Sequence, residues 1–190
     1  MDEYLEIERR YLVDGRESKP WREGSELLHI EQHYNVGVLL EPRQDALWFK
    51  HRPFTKLTEK EVDFFASTST WTTRLRKSND AYVLTYKSRI SSDTTLELEW
   101  DIDAEMAESL LACGPFPSIR KTRYVLAGID GMIWEVDEFE GELAGIILAE
   151  VELPSSDKEV ELPSWIGKEI TGLASWSNHA LAETLASRTD

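Results

Sequence analysis

Charged side chains return at every second position in one short run of this chain after another. In LEIERRYLV (5–13), Glu6, Glu8 and Arg10 share one face while Leu5 and Ile7 take the other, because successive side chains of a strand point to opposite sides. The same period places Arg74 with Arg76, Lys87 with Arg89, Glu97 with Glu99 and Asp101, Lys121 with Arg123, Glu135 with Asp137, and Glu150 with Glu152. Leu75, Leu96, Leu98, Trp134, Val136, Ala149 and Val151 occupy the alternate positions. Two architectures accommodate such strands. One is a sandwich with its charged faces in water, which is what a single charged row usually means. The other is a sheet closed into a barrel, which turns every row toward one lumen. Acidic and basic rows alternate along the chain, and this favours the barrel. Neither sign of charge is tolerated unpaired in a low-dielectric interior, but an anionic ligand with its metal compensates both. The interior therefore reads as a polyanion site.

Composition narrows the partners. The 190 residues are 41% hydrophobic with seven Trp, enough to bury a sizeable core, and the expected organisation is one domain over residues 1–190. The 36 acidic against 21 basic residues give a formal net charge of −15, which opposes both the phosphate backbone of nucleic acid and an anionic membrane surface. No apolar run of about 18 residues and no signal-like N-terminus is present, so the expected location is cytoplasmic. Cys113 is the single cysteine, which excludes a multi-thiolate metal site. Oxygen ligands are what remain.

Strand-like runs bounded by SND, SSD, GIDG and GELAG turns extend from Trp71 to Leu153 and predict an antiparallel meander. Before them, DGRESKPWREGS reads as a polar connection, LLHIEQHYNVGVLL as a strand, EPRQD as a turn, and ALWFKHR as the other arm of a hairpin. A short helix is expected at 58–66, with capped helices at DAEMAESLLAC and SNHALAETLAS. His29 and His33 lack the glutamate and the helix that an HExxH zinc site needs, and Gly167-Lys168 lacks the remainder of a phosphate-binding loop.

EIERRYLV, IEQHY, TRLRK, VLTYKS, LELEWDI, RKTRY, WEVDEFEG and LAEVEL, followed by PSWIGKEITG and SNHALA, stand in an order that resembles the CYTH family of triphosphate tunnel metalloenzymes. The first run resembles the family's ExExK strand, TRLRK its RxR strand and VLTYKS its TxK strand. The resemblance implies an α+β fold: a closed eight-stranded antiparallel β-barrel, the triphosphate tunnel, with flanking helices. It also implies divalent-metal-dependent hydrolysis of a small-molecule triphosphate, most simply inorganic triphosphate. Adenylate cyclase, thiamine triphosphatase and a non-catalytic polyphosphate-binding module are the alternatives.

On this resemblance Arg74, Arg76, Lys87, Lys121 and Arg123 bind substrate phosphates, Glu6, Glu8, Glu150 and Glu152 hold Mg²⁺ or Mn²⁺, and Glu97, Glu99, Glu135 and Asp137 hold a second ion or position water. Arg10 and Tyr34 take the catalytic positions. Arg10 stands where the family has lysine, and it keeps the charge without the ability to release a proton. The chain also carries an extended insertion at about 36–70, either a lid over one tunnel mouth or an elaborated hairpin. A homodimer remains open as an alternative to the monomer.

Overall fold

The computed structural model describes residues 3–188. Its elements in chain order are β1 (Leu5–Val13), β2 (Glu26–Tyr34), β3 (Leu40–Arg43), β4 (Ala46–Phe49), β5 (Arg52–Lys56), α1 (Glu59–Ser67), β6 (Thr72–Ser78), β7 (Ala81–Arg89) and β8 (Thr94–Ile102), then α2 (Ala104–Leu111), β9 (Ser118–Ala127), β10 (Ile133–Phe139), β11 (Ile147–Glu152), β12 (Ile166–Glu169) and α3 (Asn178–Ala186). Eight strands run in the order β11-β10-β9-β2-β6-β7-β8-β1, and β1 pairs back onto β11 to close the barrel. Every pairing is antiparallel, and β12 adds to β1 outside the ring.

Register carries the charged rows into one interior. Arg10 lies opposite Glu150, Glu150 opposite Glu135, and Asp137 opposite Arg123. On the far side Tyr34 faces Arg74, Arg74 faces Thr85, Thr85 faces Glu99, and Lys87 faces Glu97. The apolar phase consequently points out of the barrel and needs cover, since exposed faces of that size would be unstable in water. One cluster joins Leu75, Leu84 and Leu98 to Leu47, Phe49, Phe54 and Leu110. It packs the small β3-β4-β5 sheet and the two helices α1 and α2 over the outer wall. A second joins Tyr11, Trp134, Val136 and Val151 to Trp21. A third is in the inward phase instead, with Tyr34, Ile119 and Leu148 of the barrel strands packed against Leu181 and Ala182 of α3.

The chain between β2 and β6 differs in detail from the sequence expectation. The strand over LLHIEQHYNVGVLL stops at Tyr34, because Asn35 adopts a left-handed conformation (φ 62°) and a 3-10 turn follows at Val36–Leu39; Asn tolerates this region better than most residues. Glu41, Pro42 and Arg43 of EPRQD extend a strand, and the turn itself falls on Gln44 (φ 54°) and Asp45. The expected helix at 58–66 forms as α1 with a capping box: Thr58 Oγ1 accepts from the Glu61 N–H and the Glu61 carboxylate accepts from the Thr58 N–H.

Candidate active site

Two cavities occupy the barrel interior. The larger, about 800 Å³, is walled by the charged rows and opens past Tyr4, Thr58 and Glu61. The smaller, about 420 Å³, lies between Tyr34, the Arg89–Thr95 turn and the start of α3. Glu8, Arg10, Arg74 and Lys87 face both.

The wall is a chain of ion pairs that the register makes unavoidable. Arg10 bridges Glu8 (2.8 Å) and Glu150 (2.7 Å). Lys87 meets Glu6 at 2.5 Å and Glu97 at 2.7 Å. Arg74 donates to the Thr85 hydroxyl at 2.9 Å and to Glu99 at 3.0 Å. Arg123 forks onto Asp137 with two bonds of 2.7 Å, touches Glu150 at 3.2 Å, and pairs with Glu135. Arg76 is different. Its nearest carboxylate, Glu99, lies 3.8 Å away, its Nε is buried without a protein partner, and burial together with the charges of Arg74 and Arg123 pulls its pKa down.

Crowding of carboxylates perturbs them in opposite directions. Burial and the neighbouring Glu150 push Glu8 up to about 7. Burial and the adjacent Glu6 raise Glu97 to about 9, whereas in Glu6 the attraction of Lys87 and Arg74 and a hydrogen bond with Glu97 overcome burial and bring it to about 2. Glu150 is held well below the carboxylate range, since Arg10, Arg123 and Lys121 outweigh its burial. A group of like-charged oxygens that cannot all ionise in the free protein fits a divalent cation, which would relieve that repulsion. Among the described residues no three acidic or histidine side chains are already gathered for coordination; hard cations that keep water and phosphate oxygens in their shell need only one or two protein carboxylates. The donors are all oxygen, as Mg²⁺ or Mn²⁺ prefers.

Most residues expected from sequence meet here, and a few stand apart. Glu6, Glu8, Arg10, Arg74, Arg76, Lys87, Glu97, Glu99, Arg123, Glu135, Glu150 and Glu152 line the larger cavity. Lys121 and Asp137 are fully buried, pair with each other at 2.5 Å, and lie behind the wall of both cavities. Burial brings Lys121 down to about 8 against the pull of Asp137. Tyr34 lines only the smaller cavity, its hydroxyl donates to Gln32 Oε1 at 2.9 Å, and burial pushes it up to about 12. It is a neutral phenol at physiological pH. Arg89 sits at the rim on the carbonyls of Ser91, Ser92 and Gly172, and Asp101 is exposed. Thr85, Gln32 and Asn178 were not singled out by sequence reasoning. All three lie in runs that carried the family resemblance, Thr85 in VLTYKS, Gln32 in IEQHY and Asn178 in SNHALA, and the first two are also in phase with Lys87 and Tyr34; those were the available signals.

The architecture is thus a closed antiparallel barrel whose cations and carboxylates face a common lumen. No family model matches the chain. It is 38% identical over 112 residues to an inorganic triphosphatase of Acetivibrio thermocellus, covering 58% of this chain and 70% of that protein. It is 35% identical over 111 residues to one of Nitrosomonas europaea, covering 57% and 73%. The solved structure of an inorganic triphosphatase superposes with a TM-score of 0.55 at 27% identity over 93% of each chain. The chain belongs to the CYTH family of triphosphate tunnel metalloenzymes.

Proposed function

We propose that this chain hydrolyses inorganic triphosphate to orthophosphate and pyrophosphate inside the barrel, with Mg²⁺ or Mn²⁺ as cofactor. The observation that carries the reading is the under-compensated Arg76 beside Arg74 and Arg123 in the larger cavity. Three neighbouring guanidiniums favour an anion of several charges, and triphosphate supplies about four at neutral pH, as ionised phosphate groups take up paired Arg donors.

Glu6, Glu8, Glu150 and Glu152 are the residues that would hold the cation; when bound it neutralises charge on the phosphate oxygens. Arg74, Arg76 and Arg123 take phosphate oxygens directly; the hydrogen bonds of Arg74 to Glu99 and of Arg123 to Asp137 fix those two forks in advance. Lys87 is held by Glu6 and Glu97 at the junction of the two cavities and adds a point charge there. Arg10, shared between Glu8 and Glu150, keeps two proposed cation ligands in place and remains protonated throughout. In the reaction the oxygen of a water bonds to the terminal phosphorus, the bridging P–O bond breaks, and pyrophosphate leaves with the electron pair. The water proton passes to a phosphate oxygen or to solvent. Tyr34, with its high pKa, orients by hydrogen bonding and does not serve as the base.

Rates of phosphate release from inorganic triphosphate, ATP and thiamine triphosphate, measured side by side with Mg²⁺ and with Mn²⁺, test the assignment. Fastest turnover of inorganic triphosphate supports it. Cyclic AMP formation from ATP, preference for thiamine triphosphate, or tight binding without turnover would each replace it with a different activity of this fold.

A further inference from the structure

Five residues face both cavities, and one of them belongs to no charged row: Asn178 joins Glu8, Arg10, Arg74 and Lys87 at the junction. It comes from the first turn of α3, not from a barrel strand. Its side chain is not occupied in capping that helix, because Ser177 Oγ accepts from the Ala180 N–H at 3.1 Å. Asn178 is 9% exposed, and its Oδ1 is buried without a protein partner. An unpaired amide oxygen is unfavourable in the interior, so an apolar residue would suit this position better if packing were its only role. With Oδ1 buried, the Nδ2 end of the amide is what the side chain offers to the cavities.

The helix that carries Asn178 is firmly seated. Asn35 donates from Nδ2 to Glu183, His179 Nε2 lies 3.2 Å from Asn35 Oδ1 and 3.3 Å from Glu183, and Leu181 and Ala182 are buried beneath. Ser177, Asn178, His179 and Ala180 all line the smaller cavity, so the N-terminal, electropositive end of α3 is directed at the tunnel interior. A triphosphate lying along the larger cavity brings its leading phosphoryl group to this junction, where the cationic side chains of Arg10, Arg74 and Lys87 also converge.

We infer that Asn178 contacts the terminal phosphoryl group of the bound triphosphate, donating Nδ2–H to an oxygen on which charge builds during hydrolysis. The inference rests on the triphosphatase reading above. A neutral donor fixed by a docked helix adds direction to a site otherwise lined by ions, and phosphoryl transfer depends on such alignment. Removing it is felt in kcat more than in KM, because many cationic contacts still bind the ground state.

Initial rates on inorganic triphosphate with Mg²⁺, together with melting temperatures, are compared for wild type, Asn178→Ala, Asn178→Asp and Leu181→Ala. Asn178→Ala is expected to lower kcat by about tenfold or more with KM changed by less than about threefold, and to melt no lower than wild type. Asn178→Asp, which has no donor and repels phosphate, falls at least as far. Leu181→Ala disturbs only the packing of α3; it melts lower and keeps its kcat within about threefold. Wild-type kcat in Asn178→Ala overturns the inference, as does a loss of activity matched by Leu181→Ala. If wild type does not turn over triphosphate, the functional reading fails first. The contact is then read from the rise in melting temperature given by triphosphate with Mg²⁺: loss of that rise in Asn178→Ala supports it, and an undiminished rise overturns it.

Discussion

Replacing Arg76 with Met removes a guanidinium while keeping an unbranched stem of similar reach, and its effect should separate ligand-free from ligand-bound stability. In the free protein the folded environment depresses the Arg76 pKa through burial and then through Arg74, so the charged form is what folding disfavours. Among the described residues the one carboxylate within ion-pair reach, Glu99, is 3.8 Å away and partly exposed. Arg76→Met should therefore leave ligand-free stability unchanged or raised by up to about 1 kcal/mol, the scale of a solvent-screened ion interaction. With ligand the order reverses. Triphosphate and Mg²⁺ at 100 times the dissociation constant stabilise wild type by about 2.7 kcal/mol, which for a chain of this size is a rise of about 5–11 °C. Losing one charge-assisted contact of about 1.5–3 kcal/mol weakens binding roughly 10- to 150-fold. At the same ligand concentration the stabilisation then drops to about 0.3–1.4 kcal/mol, half the wild-type shift or less. Differential scanning fluorimetry with and without ligand reads both numbers. An undiminished ligand shift, or a ligand-free loss above about 2 kcal/mol, would refute the view that Arg76 is held for an anion.

The buried pair behind the wall predicts a different outcome: Asp137→Asn leaves Lys121 and Arg123 without their shared, fully buried carboxylate, and should cost about 3–5 kcal/mol in urea unfolding. On the outer surface Glu138 accepts from Trp21 at 2.9 Å, Lys19 at 2.7 Å and Arg22 at 2.7 Å. These bonds overcome its burial and lower it to about 2 from 4.5. Its contribution is therefore complete above pH 4.5 and disappears as pH falls toward 2; after allowance for solvent screening, Glu138→Gln should lose about 1–2 kcal/mol at pH 7 and match wild type near pH 2, measured by unfolding at each pH. Arg10→Lys keeps the charge between Glu8 and Glu150 and should retain turnover within about tenfold, near 1.4 kcal/mol of barrier, while Arg10→Ala loses far more. Higher activity in Arg10→Lys than in wild type would instead show that a proton-releasing residue is needed there.

The barrel was legible because strand periodicity converts directly into faces, and seven paired or tripled rows of charges in phase leave few ways to fold. Which charges reach the lumen was not legible. Lys121 and Arg123 are in the same phase, yet Lys121 has Ile30 and Phe139 as cross-strand neighbours, and those side chains fill the interior at its level. Arg123 lies one pleat along, beside Asp137, where the cavity begins. Depth along a barrel depends on stagger between strands, which period alone does not encode. Residues 36–67 were legible in part: ALWF reads as a hairpin arm and forms β4, and the helix expected at 58–66 forms as α1, but their role as cover for Leu75, Leu84 and Leu98 is a tertiary matter that local pattern does not encode. Asn178 depends on the docking of α3, a tertiary event without a local pattern.

The most direct test of the central claim is a phosphorus NMR time course of inorganic triphosphate with the wild-type protein, run with Mg²⁺ and again with excess chelator. The account predicts disappearance of triphosphate with orthophosphate and pyrophosphate appearing in equal amounts, and no turnover once the metal is removed. Intact triphosphate in the presence of both Mg²⁺ and Mn²⁺, or hydrolysis at the same rate in chelator, would contradict it.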